Sequence, residues 1–299
     1  MKTVFVPSYD TEAPGACLKA CERIATLHRE MNVPATFFIV AKLLEGGERK
    51  AYRELLDDPL FEIASHSCTH PLLRDHPALQ AQAVPWPQVE TEVRSSKEIV
   101  EDCFGRPCTG FRTPCGFADG LGDGPLVELV ARAGYAYSSS LAWGPQYSLP
   151  VPVQAPFTYA AKGCPDLWEF PAQGWHENVL KGHNATPGRF LLWPPVYPDH
   201  VLTRCVETPE EEFAVHRYFI DKAIALGMEY STPIWHPWSL HKFDPQMRMP
   251  RLLFDYVRSR GGDFETFAAL RARRAKSGTG VSARQPDKYR AAAPVPQAK

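Results

Sequence analysis

Four short polar motifs stand where apolar stretches of the sequence end. They are Ser8–Glu12, His66–His70, Arg112–Gly116 and Trp235–Trp238. The second motif separates two imidazoles by four residues, and the first holds two carboxylates two residues apart. Two imidazoles and one carboxylate with an open position form a common catalytic zinc site, in which a bound water becomes acidic. Together the motifs predict a catalytic metal site.

Each motif alone also has a structural explanation. A pair of histidines four residues apart is a common spacing that does not by itself establish a metal site. The two acids of the first motif could cap the helix that is predicted to begin near Pro14. Arg112 could pair with a surface acid, and a histidine before a proline, as at His236, is often structural. The order of the motifs and their place at strand ends favour a common site.

The sequence between these motifs alternates between short apolar runs and helix-like segments. Strands are predicted at 3–6, 35–40, 61–65, 108–112, 135–140, 166–170, 228–235 and 263–267, and helices at 14–31, 50–57, 88–104, 125–133, 209–226 and 247–260. Such a run of β/α units without a linker favours one α/β barrel. The carboxyl ends of barrel strands meet at one mouth, so the motifs are expected to share a pocket. Segments 143–165 and 173–208 are proline-rich and aperiodic, which predicts long loops.

The composition is that of a folded soluble protein, with 299 residues, 44% hydrophobic and 22% charged. A net charge of −1 favours neither nucleic acid nor a membrane as a partner. Residues 271–299 hold eight Lys or Arg against one Asp. We therefore expect a single barrel domain over residues 1–270 and a basic, disordered tail over 271–299. Association into a homo-oligomer is left open.

The N-terminus and the cysteines indicate a compartment. The first residues contain no apolar run long enough for secretion, which predicts a cytoplasmic protein. Eight cysteines are too sparse for a disulfide scaffold, and none of them forms a CxxC pair.

The four motifs, in this order, resemble those of the polysaccharide deacetylase family. The resemblance covers residues 3–267 and is most specific at His66–His70, which matches His-Ser/Thr-x-x-His, and at Arg112–Gly116, which matches Arg-x-Pro-x-Gly. In the first motif Thr11 stands where a second aspartate is usual, although some members carry Asp-x-Asp, which residues 10–12 resemble. The resemblance implies an irregular (β/α)7 barrel of TIM-like architecture and metal-dependent hydrolysis of amides.

The resemblance also implies a set of metal ligands. His66, His70 and one carboxylate would hold one divalent ion, with Glu12 as the expected third ligand and Asp10 as the alternative. Zinc is the expected metal, although cobalt, nickel, iron and manganese also suit these donors.

Catalytic roles follow from the same resemblance. Asp10 would accept a proton from the attacking water, with Arg112 paired to it so that it stays ionised. The backbone N–H of Cys115 would stabilise the tetrahedral oxyanion. His236 would donate a proton to the leaving amine.

Further residues are expected near the mouth. Glu169, at the end of the strand predicted at 166–170, is expected to contact the substrate or to steady Arg112 or a ligand histidine. Trp238 is expected beside the substrate. Tryptophans 143, 175 and 193 lie in the predicted loops, where aromatic faces can pack against a ligand. Packing within the core or a loop is the alternative for each of them.

The expected function is removal of the acetyl group from an N-acetylated amino sugar or saccharide. An alternative with the same site is the opening of a small cyclic amide or imide, as in allantoinases. A third is a non-catalytic barrel that has kept its pocket for binding. Metal content distinguishes the third from the first two, and the product, acetate or a ring-opened acid, distinguishes those two.

Overall fold

Parallel strands and helices alternate through residues 2–183 and 202–277, which are the residues that the computed structural model describes. The strands are β1 Val4–Phe5, β2 Ser8–Thr11, β3 Ala35–Ile39, β4 Phe61–Ser65, β5 Gly110–Phe111, β6 Tyr137–Ser138, β7 Phe157–Tyr159, β8 Cys164–Glu169, β9 Tyr230–Ser231 and β10 Asp263–Phe264. The helices are α1 Ala16–Met31, α2 Arg49–Leu56, α3 Trp86–Phe104, α4 Pro125–Arg132, α5 Glu177–Leu180, α6 Pro209–Ala225, α7 Pro237–Phe243, α8 Arg248–Ser259 and α9 Phe267–Ser277.

The strands form two sheets that together make an irregular barrel. The larger sheet has the order β2-β3-β4-β5-β6-β8-β7 and the smaller one β10-β1-β9. All pairs are parallel except β7 with β8. A parallel bridge between Tyr9 and Trp235 joins the start of the large sheet to the chain after β9. The predicted irregular α/β barrel is confirmed.

The central strands are hydrophobic because both faces of the sheet are covered. All five residues of β3 are buried. On β2, successive side chains point to opposite faces. Tyr9 packs outward against His28 of α1 and stacks on Phe37, while Asp10 faces the barrel interior. The same alternation brings Asp10 and Glu12 to one side, with Thr11 on the other.

Helix α9 differs from the expected domain boundary at residue 270. Phe267 and Leu270 are fully buried, and the helix continues through Ser277. Arg273 and Arg274 form ion pairs with Glu229, and Arg273 also pairs with Glu265. These contacts give the first part of the predicted tail a folded partner, so 271–277 belongs with the barrel. Residues 278–299 lie outside the described chain.

The two predicted loops contain regular structure. Segment 143–165 includes β7, which pairs antiparallel with β8, and two short 3₁₀ helices. Segment 173–208 contains α5, and its residues 184–201 lie outside the described chain. In the described residues, no helix is both long and apolar enough to cross a membrane.

Candidate active site

The four motifs meet at one end of the barrel. They follow or end strands β2, β4 and β5 and the chain after β9, and they line one cavity of about 320 Å³. Eight of the candidate residues singled out in the sequence line it: Asp10, Glu12, His66, His70, Arg112, Cys115, Trp143 and His236.

Glu12, His66 and His70 form a cluster suited to a metal ion. One donor atom from each lies within 4.8 Å of the others. Oε2 of Glu12 is 3.0 Å from Nε2 of His70 and 3.9 Å from Nε2 of His66. Two imidazole nitrogens and one carboxylate oxygen that converge in this way leave an open position for a fourth ligand, as in catalytic zinc sites.

The histidines of this cluster have one ring nitrogen available for a metal. Nδ1 of His66 bonds the carbonyl oxygen of Arg112 at 2.9 Å, which places its proton there and leaves Nε2 as an electron-pair donor. Burial lowers the pKa of His66 to about 4, so its ring is neutral. Nε2 of His70 is buried and lies 3.0 Å from Oε2 of Glu12, without a well-aligned hydrogen bond. Both atoms are of types that coordinate a metal ion and converge with Nε2 of His66, so the residues present fit one.

Glu92 of α3 holds the loop that carries His70. Its buried carboxylate accepts hydrogen bonds from the backbone N–H groups of Cys68 and Thr69 at 2.8 and 2.7 Å, and from the hydroxyl of Thr69. Ser67 and His70 have positive φ values of 63° and 66°. The carboxylate therefore fixes a loop conformation that residues with side chains rarely adopt. The sequence analysis did not identify Glu92.

Trp238 contacts a ligand of the cluster rather than the cavity. Its indole N–H donates to Oε1 of Glu12 at 3.0 Å. The other oxygen of Glu12 is thereby left facing the two histidines. Trp238 does not line the cavity, so the expectation that it lies beside the substrate is replaced by a role in orienting Glu12.

Asp10 forms a buried ion pair with Arg112. Nη1 of Arg112 lies 2.5 Å from Oδ1 of Asp10, and the other nitrogens of the guanidinium bond Ser8 and Ser139. Burial raises the pKa of Asp10, but Arg112 and the nearby His66 lower it by more, so it stays below its usual range. Oδ2 of Asp10 is 3.8 Å from Nε2 of His66, which places a charged carboxylate beside the metal cluster.

His236 is held by Glu177, a residue that the sequence analysis did not identify. Oε1 of Glu177 accepts hydrogen bonds from the backbone N–H of His236 at 2.8 Å and from its Nδ1 at 2.9 Å. Burial lowers the pKa of His236, while Glu12 and Glu177 raise it by more, to about 9. The imidazole is therefore charged at neutral pH and can donate a proton from Nε2.

Comparison with family models gives a match over part of the chain. Residues 9–138 match the model of the polysaccharide deacetylase family. Its deacetylases are hydrolases of carbon–nitrogen bonds other than peptide bonds, and they depend on a metal. Comparison with curated protein sequences gave no match.

Solved structures agree on the fold. A Mycobacterium smegmatis protein assigned to the polysaccharide deacetylases is 18% identical, with a TM-score of 0.65, and the match covers 96% of this chain and 95% of that one. PuuE allantoinase is 12% identical, with a TM-score of 0.66 and coverage of 93% and 91%. A Pseudomonas aeruginosa protein assigned to the same deacetylases is 14% identical, with a TM-score of 0.64 and coverage of 92% and 91%. At these identities the likeness establishes the fold alone.

Glu169 does not face the mouth of the barrel. Its fully buried carboxylate accepts the backbone N–H groups of Ser140 and Leu141, each at 2.7 Å, and the hydroxyl of Tyr159 at 2.6 Å. These bonds occupy both oxygens, so the expectation that Glu169 contacts the substrate, Arg112 or a ligand histidine is wrong. Its contribution is indirect, because the hydroxyl of Ser140 accepts the backbone N–H of Thr113 at 3.0 Å.

The family's Arg-x-Pro-x-Gly motif forms a tight turn beside the cavity. Cys115 and Gly116 both have positive φ values, 62° and 59°. A Cβ atom on Gly116 would lie 2.4 Å from that of Ala142, so only glycine fits there. Desolvation, with Glu12 and Asp10 nearby, raises the pKa of the Cys115 thiol to about 11. The thiol is therefore neutral.

The predicted loop tryptophans have different surroundings. Trp143 lines the cavity, and its indole N–H donates to the carbonyl oxygen of Cys115 at 2.8 Å. Trp175 is buried in the neighbouring hydrophobic cluster. Trp193 lies outside the described chain.

Proposed function

We propose that this chain is a metal-dependent hydrolase that removes the acetyl group from an N-acetylated amino sugar. The observation that carries the proposal is the convergence of Glu12, His66 and His70 in one cavity with the Asp10–Arg112 pair and the charged His236. These groups supply a metal site, a base and an acid.

Glu12, His66 and His70 would hold the ion. When bound, a divalent metal lowers the pKa of a water molecule and polarises the acyl carbonyl. The neutral state of His66 and the ionised state of Glu12 are those that ligands require. We propose zinc, because this donor set is common in catalytic zinc sites.

Asp10 would act as the general base. Its carboxylate is ionised, because Arg112 stabilises the charge, and it lies beside the metal cluster. It would accept one proton of the attacking water as the oxygen adds to the acyl carbon. Arg112 also keeps Oδ1 of Asp10 occupied, so that Oδ2 is the oxygen left for this proton.

His236 and Cys115 would serve the later steps. The backbone N–H of Cys115 would stabilise the negative charge that develops on the carbonyl oxygen. As the carbon–nitrogen bond breaks, the imidazolium of His236 would donate its Nε2 proton to the amine. One water is consumed, and acetate and a free amine are released.

The cavity favours a small substrate over a long chain. Its volume of about 320 Å³ is at the low end for ligand pockets. Apolar and aromatic residues contribute much of the wall: Ala78, Leu79, Ala142, Trp143, Val179 and Ile234. The same compact shape favours a second candidate, the opening of a small cyclic amide, which is the class of reaction named for PuuE allantoinase.

A product assay tests the proposal. Zinc-loaded protein is incubated with N-acetylglucosamine, N-acetylglucosamine 6-phosphate, allantoin and hydantoin, and acetate and ring-opened acids are quantified by NMR. We expect acetate from an acetylated sugar, and a loss of about 100-fold or more in Asp10→Asn with zinc retained. If only ring-opened acid forms, the opening of a cyclic amide is the activity. If zinc binds and neither product forms, the remaining hypothesis is a non-catalytic binding barrel.

A further inference from the structure

Three buried side chains behind His236 form a triad of alternating charge, Glu177–Lys181–Glu212. Oε2 of Glu177 lies 2.6 Å from Nζ of Lys181, which lies 3.0 Å from Oε1 of Glu212. The side chains of all three are fully buried. The hydroxyl of Ser239 also donates to Oε2 of Glu177, at 2.8 Å. Because buried charges are costly unless each has a close partner, each charge in this triad depends on its neighbour.

Lys181 is the cation that balances Glu212 within the described part of the chain. His216 lies 3.5 Å from Oε1 of Glu212, but the indole N–H of Trp235 points at its Nε2 at 3.3 Å. An indole nitrogen is only a donor, so Nε2 of His216 is an acceptor and carries no proton. Glu212 lies near the N-terminus of α6, where the helix dipole also favours a carboxylate.

The Glu177–Lys181–Glu212 triad carries one net negative charge beside His236. Two carboxylates and one ammonium sum to a single negative charge, and His236 contacts it through Glu177. Since Lys181 and Ser239 occupy Oε2 of Glu177, Oε1 is the oxygen that remains for Nδ1 of His236. The imidazole is thereby fixed with Nε2 as the nitrogen that can reach a substrate.

We propose that Lys181 and Glu212 are positioning residues for the reaction, with Glu212 holding Lys181 and Lys181 holding Glu177 against His236. The inference rests on the proposed function, because that function gives His236 the role of proton donor. It extends the site from the cavity to α6 through residues that touch neither substrate nor metal.

Other charged groups also face His236, and a test has to separate them. Glu177 approaches from α5, Asp10 and Glu12 from the end of β2, and His176 from the chain before α5. Substitutions at positions 181 and 212 change only the two charged groups behind Glu177 and leave the groups around the cavity in place.

The experiment uses the zinc-loaded full chain with Lys181→Met and Glu212→Gln. The titration of His236 is followed by NMR of ¹⁵N-labelled histidine, and kcat and KM are measured on the substrate found in the product assay. Lys181→Met leaves two carboxylates unbalanced, so the pKa of His236 should rise. Glu212→Gln frees Lys181 to act on Glu177 alone, so that pKa should fall. We expect kcat to fall about 10-fold in both variants, with KM within about twofold.

Matched variants separate positioning from folding. Lys97→Met removes a less buried lysine–glutamate pair with the same four-residue spacing, Lys97 with Glu101 at 2.8 Å, and should change neither kcat nor the titration of His236. The double variant Lys181→Met/Glu212→Gln preserves net charge and should return the pKa of His236 close to the wild-type value. This variant tests the coupling of the triad to His236 even if Lys181→Met does not fold.

Two results would overturn the inference. Shifts of the same sign in the two single variants, or an unchanged kcat in both, would mean that Lys181 and Glu212 only stabilise the fold. A wild-type protein that binds zinc but hydrolyses nothing would end the proposed function and with it the kinetic role, while the titration would still show whether the charges are coupled to His236.

Discussion

Glu12 contacts both the two histidines of the candidate metal site and the indole of Trp238. One of its oxygens faces His66 and His70, and the other accepts the indole N–H of Trp238. Hydrogen bonds of this kind fix the orientation of a ligand and set its affinity for metal. Glu12, which stands where the Asp-x-Asp form of the motif has its second aspartate, is thus supported by a specific contact.

Replacing Trp238 by phenylalanine should weaken metal binding. The substitution removes the donor to Glu12, and we expect zinc affinity to fall about 10-fold. Competition with a chromophoric chelator measures the change. Trp175→Phe is the matched control, because its indole N–H is buried without a hydrogen-bond partner in the described structure, and it should leave zinc affinity unchanged. Equal affinities in wild type and Trp238→Phe would contradict this role.

At the scale of elements, helices outside the sheet hold the loops that carry the site. Helix α3 supplies Glu92 to the loop of His70, and α5 supplies Glu177 to His236. These contacts join residues 23 to 59 positions apart in the sequence. The local motifs were predictable because strand ends expose them, whereas partners brought in by packing leave no pattern in spacing.

Glu92→Ala should destabilise the fold. Two backbone N–H groups and the hydroxyl of Thr69 lose their acceptor, and hydrogen bonds to a charged group are worth about 1.5–3 kcal/mol each before water replaces them. We expect the free energy of unfolding in urea to fall by about 3 kcal/mol. Glu98→Ala, on an exposed position of the same helix, should change it by less than about 0.5 kcal/mol. Similar values for the two variants would refute the role of Glu92.

The contact between α1 and β2 should make stability depend on pH. His28 accepts the hydroxyl of Tyr9 and donates to the carbonyl oxygen of Val33. Burial, only partly offset by the bond to Val33, lowers the pKa of His28 to about 4, against about 6.5 in the unfolded chain. Between these values the unfolded state binds more protons, so stability falls as pH falls.

The size of this effect can be isolated with His28→Gln. Wild type should lose about 2–3 kcal/mol more than the variant when urea unfolding is compared at pH 7 and pH 4.5. The variant is needed as the reference because buried His66 and His176 also have a pKa near 4. Their contribution to the pH dependence is the same in wild type and in His28→Gln. Parallel pH dependence in the two proteins would show that His28 is not held neutral by the fold.

At the scale of the molecule, the barrel brings distant chain segments to one cavity. The alternation of strands and helices was predictable in outline from the apolar runs and helical segments, and Phe61–Ser65 was predicted to the residue. The role of Glu169 was not, because a position at a strand end does not reveal which backbone groups will surround it. The extent of α9 was missed for a related reason, since the basic residues beyond 270 find Glu229 and Glu265 only in the folded chain.

The central claim is that Glu12, His66 and His70 hold a metal ion while Asp10 remains free to act as a base. Elemental analysis after zinc loading and dialysis tests it on wild type, Glu12→Ala, His70→Ala and Asp10→Asn. We predict about one zinc per chain in wild type and in Asp10→Asn, and almost none in the other two variants. Wild type without metal, or zinc kept in Glu12→Ala but lost in Asp10→Asn, would contradict it.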